Sequence, residues 1–208
     1  MLSKGYYFCR NRQQVNDWTN TGINMENQRV RLTKRLLKDA LISLMQTLPF
    51  DRITVKKLCE EAGVNRTTFY LHYNDTEQLL LEAENDIITV ASNMITGPDR
   101  NSTSLECIAG FLSYVQLNSL HFRTLLTFKD SEVFIQRFSR DVVSSVKPYL
   151  TSTDLSDDKK EYLLYFALVG SLAVIREWIL SGFRTPADEM AELLDRMTHS
   201  VIYEPGES

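Results

Sequence analysis

The stretch Ile53–Leu80, ITVKKLCEEAGVNRTTFYLHYNDTEQLL, limits what this chain can fold into more than any other. Thr54 is placed to cap a helix whose apolar positions Val55, Leu58, Cys59 and Ala62 recur at i, i+3, i+4 and i+7, the spacing of one buried helical face. Gly63 ends that helix, because glycine freely takes the left-handed C′ conformation. Val64 plugs the turn, and Asn65 has the short oxygen-bearing side chain of an N-cap. The next helix is too short to be a core helix in its own right. Phe69 and Tyr73 lie one turn apart and can face the preceding helix, which leaves Arg66, Thr67 and Tyr70 on the opposite side. A short helix that buries one side and offers donors and a cation on the other suits a DNA groove. An ordinary helical hairpin with a solvated outer face satisfies the same composition.

Charge confines where such a groove contact can be. The 208 residues carry a net charge of −4, which argues against a general nucleic-acid coat protein. Residues 25–80 hold nine Lys and Arg against seven Asp and Glu, whereas residues 81–208 hold eleven against nineteen. DNA repels the second part, so any DNA contact belongs to the first 80 residues or so. Three cysteines, Cys9, Cys59 and Cys107, share no metal-ligand spacing and read as reduced intracellular thiols, with Cys59 a small core residue. His72, His121 and His199 are widely separated, so neither a metal site nor a cofactor is expected.

Along the chain, residues 1–24 are polar and lack an apolar run long enough for a signal sequence. They read either as a flexible basic arm or as an upstream extension that folds weakly. A first helix is predicted from Arg29 or Thr33 to Leu48, with Leu37, Ala40, Leu41, Leu44, Met45 and Leu48 at helical spacing and Pro49 after it. Lys34 and Lys38 read as a solvated face, while Arg29 and Arg31 could reach a phosphate. Asp75 as N-cap and Gln78 at N3 resemble a capping box opening a long helix that runs towards Ile95 and breaks at Gly97-Pro98. Further helices are predicted at about 104–117, 119–127, 130–148, 157–181 and 186–203, with no strand pattern and no repeat. The stretch Tyr162–Ile175 is apolar nearly all round, so it should be a central helix with neighbours on every side; at 14 residues it is short of the roughly 20 that span a bilayer.

The order Ile53-Thr54-Val55, Leu58, Ala62-Gly63-Val64, Asn65, Phe69-Tyr70-Leu71-His72-Tyr73 and Glu77-Gln78-Leu79-Leu80 resembles the TetR/AcrR family of bacterial transcriptional regulators. The likeness is close over residues 29–85 and holds only in outline beyond. Thr76 departs from it, since the family often has Lys before the acidic residue.

The resemblance implies an all-α protein with an N-terminal three-helix helix-turn-helix DNA-binding domain and a larger helical bundle for dimerisation and ligand control. The expected division is 1–24 as a flexible extension, 25–74 as the DNA-binding domain and 75–208 as the regulatory and dimerisation domain. Carried over residue by residue, Arg66 is the base reader, able to bind guanine O6 and N7 together. Thr67 and Thr68 contact a phosphate or a thymine methyl, and Tyr70 and His72 contact phosphates, although His72 also fits a packing role. Thr54 and Lys56 would hold phosphate at the start of the preceding helix.

Two C-terminal helices resemble the pair that forms the family's four-helix dimer interface, through Leu164, Ala167, Leu168, Ser171, Leu172, Ile175, Met190, Leu193, Leu194 and Met197. Both stripes also fit burial inside one monomer. A regulatory pocket in the acidic body is implied too, with Phe111, Tyr114, Phe122, Phe134, Phe138, Tyr165, Phe166 and Trp178 as either lining or plain core.

The implied function is a cytoplasmic, homodimeric regulator, most often a repressor, on a palindromic double-stranded operator, with an unknown small-molecule effector and no membrane partner. A TetR-like coactivator that binds protein partners and no DNA is the other reading. Motifs for a nucleophile–base pair, a phosphate-binding glycine loop and a metal cluster are absent, so no enzyme is expected.

Overall fold

A computed structural model describes residues 23–96, 103–129, 131–149 and 155–203, which are helical with no strand among them. The elements are α1 (Ile23–Met45), α2 (Val55–Ala62), α3 (Arg66–Tyr70), α4 (Thr76–Thr96), α5 (Ser104–Leu117), α6 (Ser119–Thr127), α7 (Ser131–Val146), α8 (Asp157–Leu180) and α9 (Ala187–Tyr203). Two short 3-10 turns join them, Phe50–Arg52 after Pro49 and Lys147–Tyr149 after α7. Helix α1 begins at Ile23, well before the predicted Arg29 or Thr33 and before the boundary drawn at residue 24. The intervening Met25–Gln28 contain neither Gly nor Pro, so a nucleated helix propagates through them without a stop. Residues 1–22, where the arm or extension was expected, lie outside the described residues, as does Gly97-Pro98.

Two large apolar clusters organise the described residues, with a small third one of Val143 and Leu164 between α7 and α8. Leu37, Ala40 and Leu41 of α1 join Ile53, Leu58, Cys59, Phe69, Tyr73 and Leu79 in the N-terminal one. Each fully buried Leu or Phe there contributes roughly 1.5–3 kcal/mol. Ile42, next in sequence to Leu41, turns the other way and is buried with Ile87, Ile88, Ala91, Phe111, Phe122, Leu125, Phe138, Trp178 and others in the body. Helix α4 adds Leu79 to the first cluster and Ile87, Ile88 and Ala91 to the second, so one continuous helix joins them. In the body α4 packs on α5 and α7, α5 on α9, and α8 on α7 and α9. Arg137 of α7 donates to the buried Glu84 and to Asn85, tying α7 to α4.

Helix caps behave largely as their residues dictate. Asp75 accepts from Gln78 N at 2.7 Å, but the Gln78 side chain answers to Asn74 N, one residue before the cap, where a strict capping box would return to Asp75. Thr103 and Glu106 form a complete capping box on α5.

Helix α8 corrects one expectation. It is not surrounded: Tyr162 is 75% and Phe166 65% exposed, while Leu164, Ala167, Leu172 and Ile175 are buried on the other side. By length and composition it is the one helix among the described residues that is long and apolar enough to cross a membrane. The residues expected to form a dimer face divide accordingly. Leu164, Ala167, Leu172, Ile175, Met190 and Leu194 are buried within the subunit, Leu168 and Ser171 are half-buried, and Leu193 and Met197 are exposed. The periodicity identified the stripe facing the monomer core, because a helix apolar on both sides gives no signal for which side meets its own chain.

Candidate nucleic-acid interface

The N-terminal cluster fixes a small outward surface. Thr54, extended at φ −98° and ψ 154°, accepts from Lys57 N and starts α2. Gly63 has φ +63°, and the chain reverses there with Val64 N donating to Cys59 O at 3.0 Å. Asn65 accepts from Thr67 N at 2.8 Å and starts α3. Phe69 and Tyr73 are fully buried and clasp α3 to the cluster, their ring centroids 5.7 Å apart. Once those two point inward, the helical repeat leaves Arg66, Thr67 and Tyr70 in water, Tyr70 at 58% exposure and edge-on to Phe69.

The other candidates lie around this strip. Thr54 and Lys56 are exposed at the start of α2, with Lys56 3.9 Å from Glu60 in a loose surface pair. Thr68 and His72 are half-buried, and His72 packs edge-on against Tyr73. Lys56 and Arg66 share the walls of a shallow crease of about 360 Å³ with Cys59, Glu60, Val64 and Asn65. Burial pushes the Cys59 thiol up, although the Arg66 charge pulls it down, so this cysteine stays a neutral packing residue. The arrangement leaves a guanidinium, a hydroxyl and a phenol exposed on one side of a short helix, the donor types that read a DNA groove.

Sequence reasoning missed the cationic ladder behind this edge. Lys34 and Lys38 do not form a solvated face. Lys34 Nζ lies 3.1 Å from Glu82, Lys38 Nζ lies 2.8 Å from Glu82 and also pairs with Asp86, and Lys34 sits 5.4 Å above the Tyr73 ring. Burial pushes the Glu82 carboxyl up, but hydrogen bonds from Lys38 and Lys34 outweigh it and hold the group below its ordinary value. The Tyr73 hydroxyl is buried close to Glu82, and burial, then the Glu82 charge, pushes its phenol far up. The signal was present: Lys34 and Lys38 are four apart, as are Glu82 and Asp86, two complementary ladders on helices that must pack. Arg29 and Arg31 remain exposed.

A family model described as "Bacterial regulatory proteins, tetR family" matches residues 37–83, from α1 into α4. A second, described as "Transcriptional regulator C-terminal region", matches residues 102–200, so the two together take in well over half of the chain. The chain belongs to the TetR family of transcriptional regulators. Its helix-turn-helix is therefore that of a DNA-binding TetR-family regulator. A TetR transcriptional regulator from Streptococcus agalactiae 2603V is 26% identical, with a TM-score of 0.61 over 85% of this chain and 98% of the other. The dihydroxyacetone kinase operon activator DhaS is 18% identical, TM-score 0.60, over 85% and 98%. The fatty acid degradation regulator FadR from Bacillus halodurans is 12% identical, TM-score 0.54, over 85% and 97%. These last two show the shared TetR-family fold alone. No curated protein sequence matches the chain.

The aromatic residues weighed as effector-pocket lining in this TetR-family body fall into three groups. Phe111, Phe122, Phe134, Phe138 and Trp178 are buried, with Phe111 5.8 Å from Phe122 and 6.2 Å from Phe138 between centroids. Tyr114 is half-buried, edge-on to Phe122. Tyr165 and Phe166 are on the surface, Tyr165 on the wall of a cleft of about 680 Å³ between α7 and the start of α8, shared with Arg140, Val143, Lys147, Lys160 and Glu161.

Proposed function

We propose that this TetR-family regulator is a cytoplasmic, non-enzymatic homodimer that represses by binding a palindromic operator, under the control of a small-molecule effector. The observation that carries the DNA part is the sidedness of α3: Phe69 at 0% exposure is flanked by exposed Arg66, Thr67 and Tyr70. In this reading Arg66 reads a guanine edge, Thr67 and Thr68 reach a phosphate or a thymine methyl, and Thr54, Lys56, Tyr70 and His72 hold the backbone. Residues 25–74 form the reading head and residues 75–208 the regulatory and dimerisation body.

Dimerisation is supported by the unpartnered side of α8. Tyr162, Phe166, Leu180 and, on α9, Leu193 and Met197 are exposed large apolar side chains of two helices that pack on each other. A two-fold dimer would set two copies of α3 on half-sites about one DNA turn, ~34 Å, apart. An effector acts by binding one arrangement of the body more tightly than the other. In this body it would have to open the packed rings or occupy the Tyr165 cleft.

Electrophoretic mobility shift on the DNA immediately upstream of the protein's own reading frame, across a salt series, tests the reading. A shift that weakens steeply with salt is expected. Its absence there and in genome-wide mapping of bound DNA would favour the coactivator, to which Thr76, in place of a family lysine, already points.

A further inference from the structure

The reading head touches the body at a second place besides α4, and a titratable group lies there. Asp39 Oδ1 of α1 is 3.4 Å from His121 Nε2 of α6. Seven residues further on, in the turn just past the end of α1, Gln46 donates from its side-chain amide to Thr124 Oγ1 of α6. Ile42 lies between these two contacts and is buried in the body cluster beside Phe122 and Leu125 of the same α6. Helix α6 is only nine residues long and buries Phe122, Thr124, Leu125 and Leu126, and α1 meets it through Ile42 with a polar contact on either side.

We propose that His121 is a proton-sensitive latch between head and body: neutral, it keeps α6 seated on α1, and protonated, it favours an arrangement in which the imidazole is released to water. Only 27% of the His121 side chain is exposed, so a charge placed there loses most of its hydration. Asp39 offers limited compensation, because its own side chain is 48% exposed and its field is screened by water.

The surrounding charges divide, and the nearest of them works against burial. From α1, Asp39 favours protonation and Arg35 opposes it. Lys38, also on α1, is held by Glu82 and Asp86 of α4. From α5 the titratable group is Tyr114, whose phenol is pushed up by burial and stays neutral here. Arg123, on α6 itself, is exposed, and α7 and α8 meet α6 through apolar side chains. Burial therefore prevails and holds the imidazole below its ordinary 6.5.

The sign follows from linkage. A released imidazole takes up a proton near 6.5, the seated one only at lower pH. The seated arrangement is at full strength above 6.5 and loses ground as the pH falls through the lower value. Small changes of pH would thus alter how firmly the head is held at one angle, independently of any effector.

The full chain, with no DNA present, decides this apart from the question of operator binding. Hydrogen-exchange protection over residues 39–46 and 119–127, corrected for intrinsic rates, should fall between pH 7.5 and 5.5, by up to about tenfold per pH unit of displacement of the imidazole. His121→Gln should flatten that fall. By NMR the imidazole of His121 should titrate below 6.5, and lower still in Asp39→Asn, which keeps the latch testable if His121→Gln folds poorly. Superimposable protection profiles in wild type and His121→Gln, or an imidazole titrating at 6.5 or above, would overturn the proposal.

Discussion

Lys38 of α1 reaches across to α4 and places its ammonium 2.8 Å from Glu82, with only 14% of the lysine side chain left exposed. The contact welds the head to the helix that enters the body. Lys38→Met should therefore lower stability by about 1–3 kcal/mol, between the values of an exposed and a buried pair. Urea unfolding followed by circular dichroism measures it. The acid limb has a definite sign as well: Glu82 is held below its ordinary 4.5, so its contribution is complete above 4.5 and is lost as the pH falls through the lower folded value. Glu82→Gln should remove that part of the acid dependence.

Gly63 sits at φ +63° with nothing within 4 Å of where a Cβ would be. Gly63→Ala meets no neighbour, and its cost is backbone strain alone, about 1–2 kcal/mol. A loss much larger than this would mean that the turn does more than reverse the chain. The urea midpoint, at unchanged slope, is the measurement.

Arg66 and Lys56 should separate by kind of effect. Arg66→Ala is expected to weaken binding to the preferred sequence by about 1–3 kcal/mol and to relax the preference. Lys56→Ala should weaken all sequences alike and reduce the salt slope by about one. Fluorescence anisotropy on specific and scrambled duplexes across a salt series distinguishes them. A salt slope untouched by Lys56→Ala would take that residue off the phosphate contacts and leave it to its pair with Glu60.

Phe166 is 65% exposed on the open side of α8. Phe166→Glu should leave the monomer folded and shift sedimentation from dimer to monomer, with DNA affinity falling in step. Leu164→Glu, which puts a charge at 3% exposure within the subunit, should unfold the chain. Equal behaviour of the two variants would mean that the open side of α8 is not where copies meet.

Much of the head was legible because its signals are local. Thr54, Gly63 and Asn65 each act on backbone groups within a few residues, and Phe69 and Tyr73 show their side by being one turn apart. Body helices α5, α6, α8 and α9 were placed within a residue or so by period and breakers alone. The matching spacing of Lys34 and Lys38 with Glu82 and Asp86 is visible in the sequence, but its meaning was not, since a lysine at helical spacing looks solvated until the facing helix is known.

The linear order of residues determined where this chain is helical, where it turns and which edge of α3 is polar, because capping, glycine conformation and the 3.6-residue repeat are short-range effects. The tertiary structure alone decided which apolar side of α8 is buried, that Leu41 and Ile42 belong to different cores, and that Asp39 meets His121. Those outcomes depend on which helices become neighbours across some 80 residues of chain, and no local preference encodes that choice.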